Sequence, residues 1–467
     1  MTQLQGYDHG SLLTQSDPYI TLSNRTWRIL FASIAGALMS LVLYALTGNI
    51  KIAALGIGIT ALVAGMLDPG IAFFVLFSVI SIETMISPSE IFSISKVAGV
   101  LVLASFTVHT QWRHLKVTAP LWYIIGLLGL SIFSILWAEH QMSTVIGLTT
   151  FALNVGLLVM LSSYVRGINL LDITMYALIV SSIIGTVALI FFGRNIFESG
   201  GGEAVGRMSL GGRGDSPVHL ANKILLGYIA AIYLFQRKRG MLRWVILSTT
   251  LISAYAILLT QTRLTLAAMF LVPFFAFMLG VDRRQAGRYL VLGTGMAIAG
   301  IGAYFALAYL PILPEQARDR MIESVNFANN SGRLMVWING LGLFLSHIFT
   351  GVGYNNFHIA IESDWQNVKS AHNNFVSVAG ELGIVGISLF ITMFVSLLIR
   401  GRSINYPPLR WLCLAMLSFA GLCGMTSETW DDKYFWYCIG FAVVAWQVGQ
   451  EAYESLYQRQ QQYSSAP

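Results

Sequence analysis

The segment Ala371-His372-Asn373-Asn374-Phe375 sets an imidazole and two amides directly before a long apolar run. An imidazole with its ordinary pKa of about 6.5 can take a proton from a hydroxyl near neutral pH. His372 is therefore the candidate base, against the plainer reading of an interfacial histidine satisfied by its neighbours. Arg263 stands between two apolar runs with almost no loop between them. An arginine at mid-membrane costs at least about 2.5–3.5 kcal/mol unless paired, and less near the interface. It is either a snorkelling interfacial residue or an anion ligand. The stretch 200–217 is rich in glycine and carries Arg207 and Arg213. Glycines let backbone N–H groups turn toward an anion, and guanidinium groups add bidentate donors, so phosphate or pyrophosphate is the natural guest. The alternative is a flexible linker. Arg333 opens a helical stretch, where a cation opposes the macrodipole, so helix stability does not explain it. An ion pair with Glu323 or Asp319 would. His219 and Asn222 begin the apolar run after the glycine-rich loop and could face the same space.

Other chemistries find little support in the sequence. His347, His358 and His372 are widely spaced, and there is no HExxH, paired cysteine or Asp-x-Asp motif to hold a metal. The glycine-rich loop has no Lys-Ser/Thr ending, so it is not a nucleotide P-loop. No Gly-x-Ser-x-Gly marks a nucleophile. Glu83, Glu90 and Glu139 fall in short turns and are weaker alternatives for the base. The net charge of +6 invites a nucleic-acid reading. The basic residues are better explained as short loops on one side of a membrane. Cys413, Cys423 and Cys438 lie in or beside apolar runs and read as small core residues.

These groups must be positioned by a membrane-embedded scaffold. Apolar residues make up 55% of the chain and charged ones 11%, against roughly 25% charged in a soluble domain. Apolar runs of about 16 to 22 residues recur, each near the length that crosses a bilayer. The expected fold is all-α, a polytopic transmembrane bundle of about fourteen spans. They lie near 29–47, 52–67, 71–86, 92–110, 119–137, 144–163, 171–192, 218–235, 244–260, 264–281, 289–309, 373–399, 411–425 and 434–450. The second and third, joined by Asp68-Pro69-Gly70, could instead form a re-entrant hairpin, leaving about twelve spans. Strands are not expected, because no alternating pattern of about ten residues recurs. The polar residues 1–25 precede the first apolar run, which reads as a signal anchor.

Basic loops fall in phase: Arg113 and Lys116; Arg237, Lys238, Arg239 and Arg243; Arg283, Arg284 and Arg288; Arg400, Arg402 and Arg410. The positive-inside rule makes that side cytoplasmic, and Arg25 and Arg28 put both termini there. The opposite face receives the glycine-rich loop, the turn Gln261-Thr262-Arg263, Glu428 to Lys433 and a connection of about sixty residues, long enough to be functional or disordered. Within it Leu334, Trp337, Ile338, Leu341, Leu345 and Ile348 recur at helical spacing, as for a helix in the interface or a lid on the bundle. The expected organisation is a cytoplasmic tail 1–28, a bundle 29–309, an external helical segment 310–372, a second bundle part 373–450 and a tail 451–467. Together these features point to an enzyme acting at one membrane face on a large anionic lipid-linked substrate.

With these residues in view, the chain resembles the O-antigen ligase and polysaccharide-polymerase family of bacterial membrane glycosyltransferases, over about Arg207 to Phe390. The resemblance is carried by an ordered set. A Gly/Arg loop precedes a span, followed by Thr260-Gln261-Thr262-Arg263 and by Ser331-Gly332-Arg333-Leu334 with Trp337. Then come Gly351-Val352-Gly353-Tyr354-Asn355-Asn356-Phe357, Ala371-His372-Asn373-Asn374-Phe375 and Glu381-Leu382-Gly383-Ile384-Val385-Gly386. The resemblance implies a GT-C-like bundle in the bacterial inner membrane. It further implies metal- and cofactor-independent transfer from a polyprenyl-diphosphate-linked glycan to a glycan or lipid A core acceptor, at the periplasmic face. It assigns diphosphate binding to Arg263 and to Arg207 or Arg213, with Arg333 in support, and the base to His372. Many members have Asp-Pro-Asn after the Gly/Arg loop where this chain has Asp215-Ser216-Pro217-Val218-His219, which leaves open which loop arginine corresponds. The rival class is a transporter or flippase of lipid-linked or anionic solutes, but the chain shows no related halves of the kind common in transporters.

Overall fold

The computed structural model describes residues 50–83, 94–109, 115, 117–197, 206–210, 216–280, 302, 331–362, 371–427, 430 and 432–464. They form an all-α polytopic bundle, and eight of the described helices are long and apolar enough to cross a membrane. In chain order the helices are α1 (Ile50–Leu67), α2 (Pro69–Ser78), α3 (Ile94–Val108), α4 (Ala119–Phe133), α5 (Gln141–Tyr164), α6 (Ile168–Phe192) and α7 (Pro217–Arg237). They continue with α8 (Met241–Thr260), α9 (Arg263–Gly280), α10 (Ser331–Ser346), α11 (Phe357–Glu362), α12 (Asn374–Arg402), α13 (Pro407–Thr426) and α14 (Lys433–Ser464). The expected span 29–47 and nearly all of 289–309 lie outside the described residues. So do Arg213, Glu90, Asp319, Glu323, the tail 1–28 and the basic residues Arg113, Lys116, Arg283, Arg284 and Arg288.

Short polar punctuation starts several helices. Asp68 caps α2, its Oδ1 accepting from the Gly70 N–H at 2.7 Å with Pro69 in the first turn. Ser216 and Pro217 do the same for α7, Ser216 Oγ accepting from the Val218 N–H at 3.3 Å. Each pairing satisfies an orphan N–H, and proline's missing donor costs nothing there. Within the bundle, polar side chains join helices that lipid-like packing alone would hold weakly. Ser182 and Ser253 hydroxyls lie 2.7 Å apart between α6 and α8, and Gly227 lets α7 approach the Leu178–Ser182 turn of α6. Pro273 inside α9 cannot donate to the Met269 carbonyl, and the Tyr228 hydroxyl of α7 donates to it instead at 3.2 Å. Cys413, Cys423 and Cys438 are buried free thiols, as expected of small core residues.

Contacts sort the helix ends into two sets. At one end Tyr164 OH donates to Asp68 at 3.3 Å, Arg237 donates to the Tyr406 hydroxyl at 3.3 Å, and Gly401 packs on Cys413. Arg166, Arg239, Arg400, Arg402 and Arg410 belong to the same helix ends, so the described basic loops share one side. At the other end Lys433 pairs with Glu83, Thr262 bonds to the Pro217 carbonyl, and Ser143 bonds to Asn355. Asp68 and Glu83 thus lie at opposite ends, and α2 with its following 3-10 turn Ile80–Ile82 carries the chain across. This favours a crossing hairpin over a re-entrant one.

One departure from the sequence expectation is a two-stranded antiparallel ribbon, β1 (Arg194–Phe197) with β2 (Gly206–Ser209), in which Ile196 pairs with Arg207. Its second strand lies inside the glycine-rich stretch 200–217. Four-residue strands are too short to show an alternating period.

Candidate functional site

The site end is built by a helix that breaks. α12 is interrupted at Gly383, whose φ of 64° and ψ of −159° suit only glycine. A break inside a helix frees N–H and C=O groups, and in an apolar setting each must find a partner. Here the Gly351-Val352-Gly353 loop supplies them. Val352 N–H donates to the Gly380 carbonyl at 3.0 Å, and Gly353 N–H donates to the Glu381 carbonyl at 2.9 Å. In return Ile384 N–H donates to the Ile348 carbonyl at 2.7 Å. Gly351 and Gly353 both have positive φ, and a Cβ on Gly353 would meet Ala138 Cβ at 2.6 Å. The buried Glu381 carboxylate also accepts from the Phe357 N–H, at 3.4 Å, at the start of α11. Asn356 accepts from the His140 N–H at 2.9 Å, and Thr144 Oγ1 donates to the Tyr354 carbonyl at 2.8 Å, fixing the loop to the start of α5. Tyr354 stacks with Phe151 and meets Trp430 edge-on at 4.9 Å, so the loop rests on a buried aromatic cluster.

This frame carries His372. Asn373 caps α12, its Oδ1 accepting from the N–H groups of Phe375 at 2.9 Å and Val376 at 3.3 Å. His372 immediately precedes it, is exposed, and has a left-handed backbone with φ 48°. A non-glycine residue held there stores local strain, a pattern common at functional sites. Its neighbour Ala371 is buried, with its carbonyl accepting from Trp337 Nε1 of α10 at 3.0 Å. α10 therefore braces the histidine turn. Gly340 of α10 meets Val376 and Phe357, while Leu334, Ile338, Leu341 and Leu345 are turned outward. The helix expected either as an interfacial element or as a lid has one face packed on α11 and α12 and one apolar face exposed.

Arg263 is the first residue of α9 and is exposed. Gln261 ends α8 in the left-handed region, with φ 51°, so two residues suffice to reverse the chain. Thr262, buried, donates to the Pro217 carbonyl at 3.3 Å and sets the Arg263 turn beside the start of α7. One turn below, Thr265 donates to Asn222 Oδ1 at 2.8 Å, and Asn222 donates to the Tyr434 hydroxyl at 3.0 Å. Asn222 is fully buried in that chain of bonds. The expectation that it could face an open space is corrected, because an amide with two such partners serves to lock α7, α9 and α14 together.

A cluster of charged side chains stands at the same helix ends, two of them, Lys223 and Asp432, not singled out by residue type in the sequence. Lys223 Nζ lies 3.5 Å from Glu83 Oε2, and Lys433 pairs with the other oxygen of Glu83. His219 Nδ1 lies 3.0 Å from Asp432 Oδ2. His219 and Lys223 are four apart and share a face of α7. Glu83, an alternative base by sequence, is committed to two ammonium groups. The available signal was Lys223, an ionisable residue inside an apolar run. The Trp430 N–H donates to Asn374 Oδ1 at 3.1 Å and Asn373 donates to the Met425 carbonyl at 3.3 Å, so the 425–433 turn links the His372 side to the His219 side. Arg263, His219, Asp432, Lys433 and His372 thus belong to one end of the bundle, opposite the basic loops. Arg207 lies on β2 and Arg333 in the first turn of α10, both on segments of the same end, and Glu139 is exposed there.

Residues 248–391 match the O-antigen ligase family model. That match spans α8 to the middle of α12, and so contains Arg263, Arg333, His372 and the interlocked break at Gly383. It supports a resemblance to membrane glycosyltransferases of the O-antigen ligase and polymerase type. No curated protein matches the chain. Among solved structures it is similar to a chain from "Structural coordination of polymerization and crosslinking by a peptidoglycan synthase complex". The identity is 14%, the TM-score 0.41, and the coverage 72% of this chain and 97% of that one.

Proposed function

We propose that this protein is a multi-pass enzyme of the bacterial inner membrane that moves a glycan from a polyprenyl-diphosphate carrier to an acceptor hydroxyl at the periplasmic face, without a metal. Arg263 holds the diphosphate together with Arg207 or Arg213, Arg333 supports it, and His372 takes the acceptor proton. The observation that carries the reading is the coincidence of two independent patterns. The family match covers Arg263 and His372, and contacts gather both at the end of the bundle opposite the described basic loops. By the positive-inside rule that end is external.

The chemistry follows from the groups. As the sugar–diphosphate bond breaks, negative charge collects on the leaving oxygens. Guanidinium groups fixed at the bundle end stabilise that charge without reorganising, and a bidentate fork does so better than a point charge. The acceptor oxygen bonds to the anomeric carbon, its proton passes to the His372 imidazole, and the electron pair of the broken bond stays with the diphosphate. A positioned base of this kind contributes roughly 10²–10⁴-fold. The lipid tail remains in the bilayer while the glycan extends outward, which suits a site at a membrane face.

The test is transfer from purified polyprenyl-diphosphate-linked glycan in proteoliposomes with EDTA present. Wild type is expected to remain active, and Arg263→Lys to lose about 10²–10³-fold, the usual cost of removing one preorganised donor. Near-normal turnover in Arg263→Lys removes bidentate diphosphate recognition there. Loss of wild-type activity in EDTA, restored by a divalent ion, removes the metal-free mechanism.

A further inference from the structure

We propose that His219, oriented by Asp432, is a donor-side ligand that gives a proton-bearing hydrogen bond to the departing diphosphate. The inference rests on the glycosyl-transfer reading and adds a group to it. His219 lies in the first turn of α7, two residues after the Pro217 carbonyl that receives Thr262 Oγ1. Arg263 follows Thr262 directly. The imidazole is therefore on the Arg263 side of the site, whereas His372 sits beyond the Asn374–Trp430 contact. Two imidazoles at one bundle end, one near the anion ligand and one near the start of α12, divide naturally into a donor group and an acceptor group.

The pairing argues for more than a structural bridge. The charges deeper in the cluster, Lys223 and Glu83, are 9% and 13% exposed and close on each other, whereas His219 and Asp432 are 30% and 35% exposed. Asp432 Oδ2 lies 3.0 Å from Nδ1, within ion-pair distance of the ring, so the carboxylate draws the imidazole toward the start of α14. Asp432 and Tyr434 lie against His219, with the Tyr434 ring centroid 6.0 Å away, while Lys223, one turn further along α7, and Lys433, next to Asp432 in the chain, pair with Glu83 after α2. Lys223 and Lys433 keep Glu83 occupied, so Asp432 is the carboxylate assigned to His219.

The proton count closes. In the transfer step the acceptor oxygen bonds to the anomeric carbon and its proton goes to His372. The bond from that carbon to the diphosphate oxygen breaks with its electron pair on the diphosphate, and the proton on His219 is shared with or passed to a diphosphate oxygen. One proton exchanged through water then resets both imidazoles. Asp432 does not touch the substrate and acts as a positioning residue.

The experiment compares wild type, His219→Gln, Asp432→Asn and Arg263→Lys in the same proteoliposomes. Donor and acceptor KM, kcat from pH 5.5 to 9, and binding of unglycosylated polyprenyl diphosphate are measured. A proton-bearing His219 serves below its own pKa and is lost above it, so wild type should decline on the alkaline side. His219→Gln is expected to raise donor KM about 10- to 100-fold, the usual worth of a charge-assisted hydrogen bond, to leave acceptor KM unchanged, and to abolish the alkaline decline. Asp432→Asn should move that decline while keeping an intermediate donor KM. Wild-type donor KM and an unchanged alkaline limb in His219→Gln overturn the inference. So does equal loss toward donor and acceptor together with a lowered Tm in both His219→Gln and Asp432→Asn, which describes a structural pair. If wild type itself does not bind polyprenyl diphosphate, the glycosyl-transfer reading falls, and this inference with it. If wild type binds it and Arg263→Lys does not, while His219→Gln binds normally, only the inference falls.

Discussion

The two ends of the bundle use charge in opposite ways. At the basic end Asp172, 4% exposed, accepts from Lys238 at 2.7 Å and from Arg237 at 3.0 Å, while the Tyr233 hydroxyl donates to its other oxygen at 3.1 Å. That cluster is closed: its donors converge on one carboxylate and tie α6 to α7, and Tyr406 brings in α13. At the other end Glu83, Lys223 and Lys433 close in a similar way, but His219, Asp432, Arg263 and His372 are more exposed and stand at helix starts beside loops. A closed cluster contributes to folding. A half-open one, set on capped and broken helices, leaves its side chains within reach of a ligand. The difference teaches where to look for function in a chain whose composition is apolar almost everywhere.

The comparison predicts that damage at the two ends has different signatures. The largest effect on stability is expected at the basic end. Asp172→Asn leaves two cations without their shared carboxylate and should cost about 3–5 kcal/mol, read as a lowered Tm in detergent. Transfer per folded molecule should stay within about twofold of wild type, since no ligand group is touched. A large fall in kcat without loss of Tm would erase the distinction between the ends.

Gly383→Ala comes next and should blur it. A Cβ at Gly383 would lie 2.5 Å from the Ile348 carbonyl, in a backbone region closed to alanine. Backbone strain alone should cost about 1–3 kcal/mol. Because the same break holds the 351–357 loop, kcat should fall as well, by more than in Asp172→Asn. Unchanged activity and Tm would mean that α12 tolerates a continuous helix.

The smallest perturbation addresses orientation. Cysteines placed at the exposed positions Glu139 and Arg239, in a background lacking Cys413, Cys423 and Cys438, sample the two ends. A membrane-impermeant reagent added outside should label position 139 and spare 239. The reverse pattern would put the candidate site in the cytoplasm.

Much of the fold was legible because hydrophobic length and basic loops are strong local signals. The runs near 144–163, 171–192 and 218–235 became α5, α6 and α7 with modest shifts at their ends. Gly351-Val352-Gly353 stood out in the sequence as part of the ordered set that carries the resemblance. Their actual work, partnering the broken α12 across about thirty residues of sequence, depends on a long-range meeting that no periodicity announces. Gly383 was read as part of a continuous apolar helix for the same reason. In the candidate site, His372 and Arg263 stand out by residue type and by their position at run boundaries. His219 was noticed without its partner, and Asp432 and Lys433 were seen only as part of an external turn. Pairing of His219 with Asp432, or Lys223 with Glu83, requires knowing which helix ends adjoin. The sequence suggested Asn222 for the same space because it opens the same apolar run as His219, three residues on, but one helical face buries it against Thr265 and Tyr434.

The central claim is that the end opposite the basic loops performs acceptor activation through His372 while its arginines hold the donor. The most direct measurement is transfer by His372→Gln, set beside its binding of polyprenyl-diphosphate donor. Glutamine keeps a hydrogen-bonding amide but cannot take a proton near neutral pH. The account predicts transfer reduced about 10²–10⁴-fold with donor affinity within about twofold of wild type. Substantial transfer by His372→Gln, or loss of donor binding in parallel with activity, would contradict it.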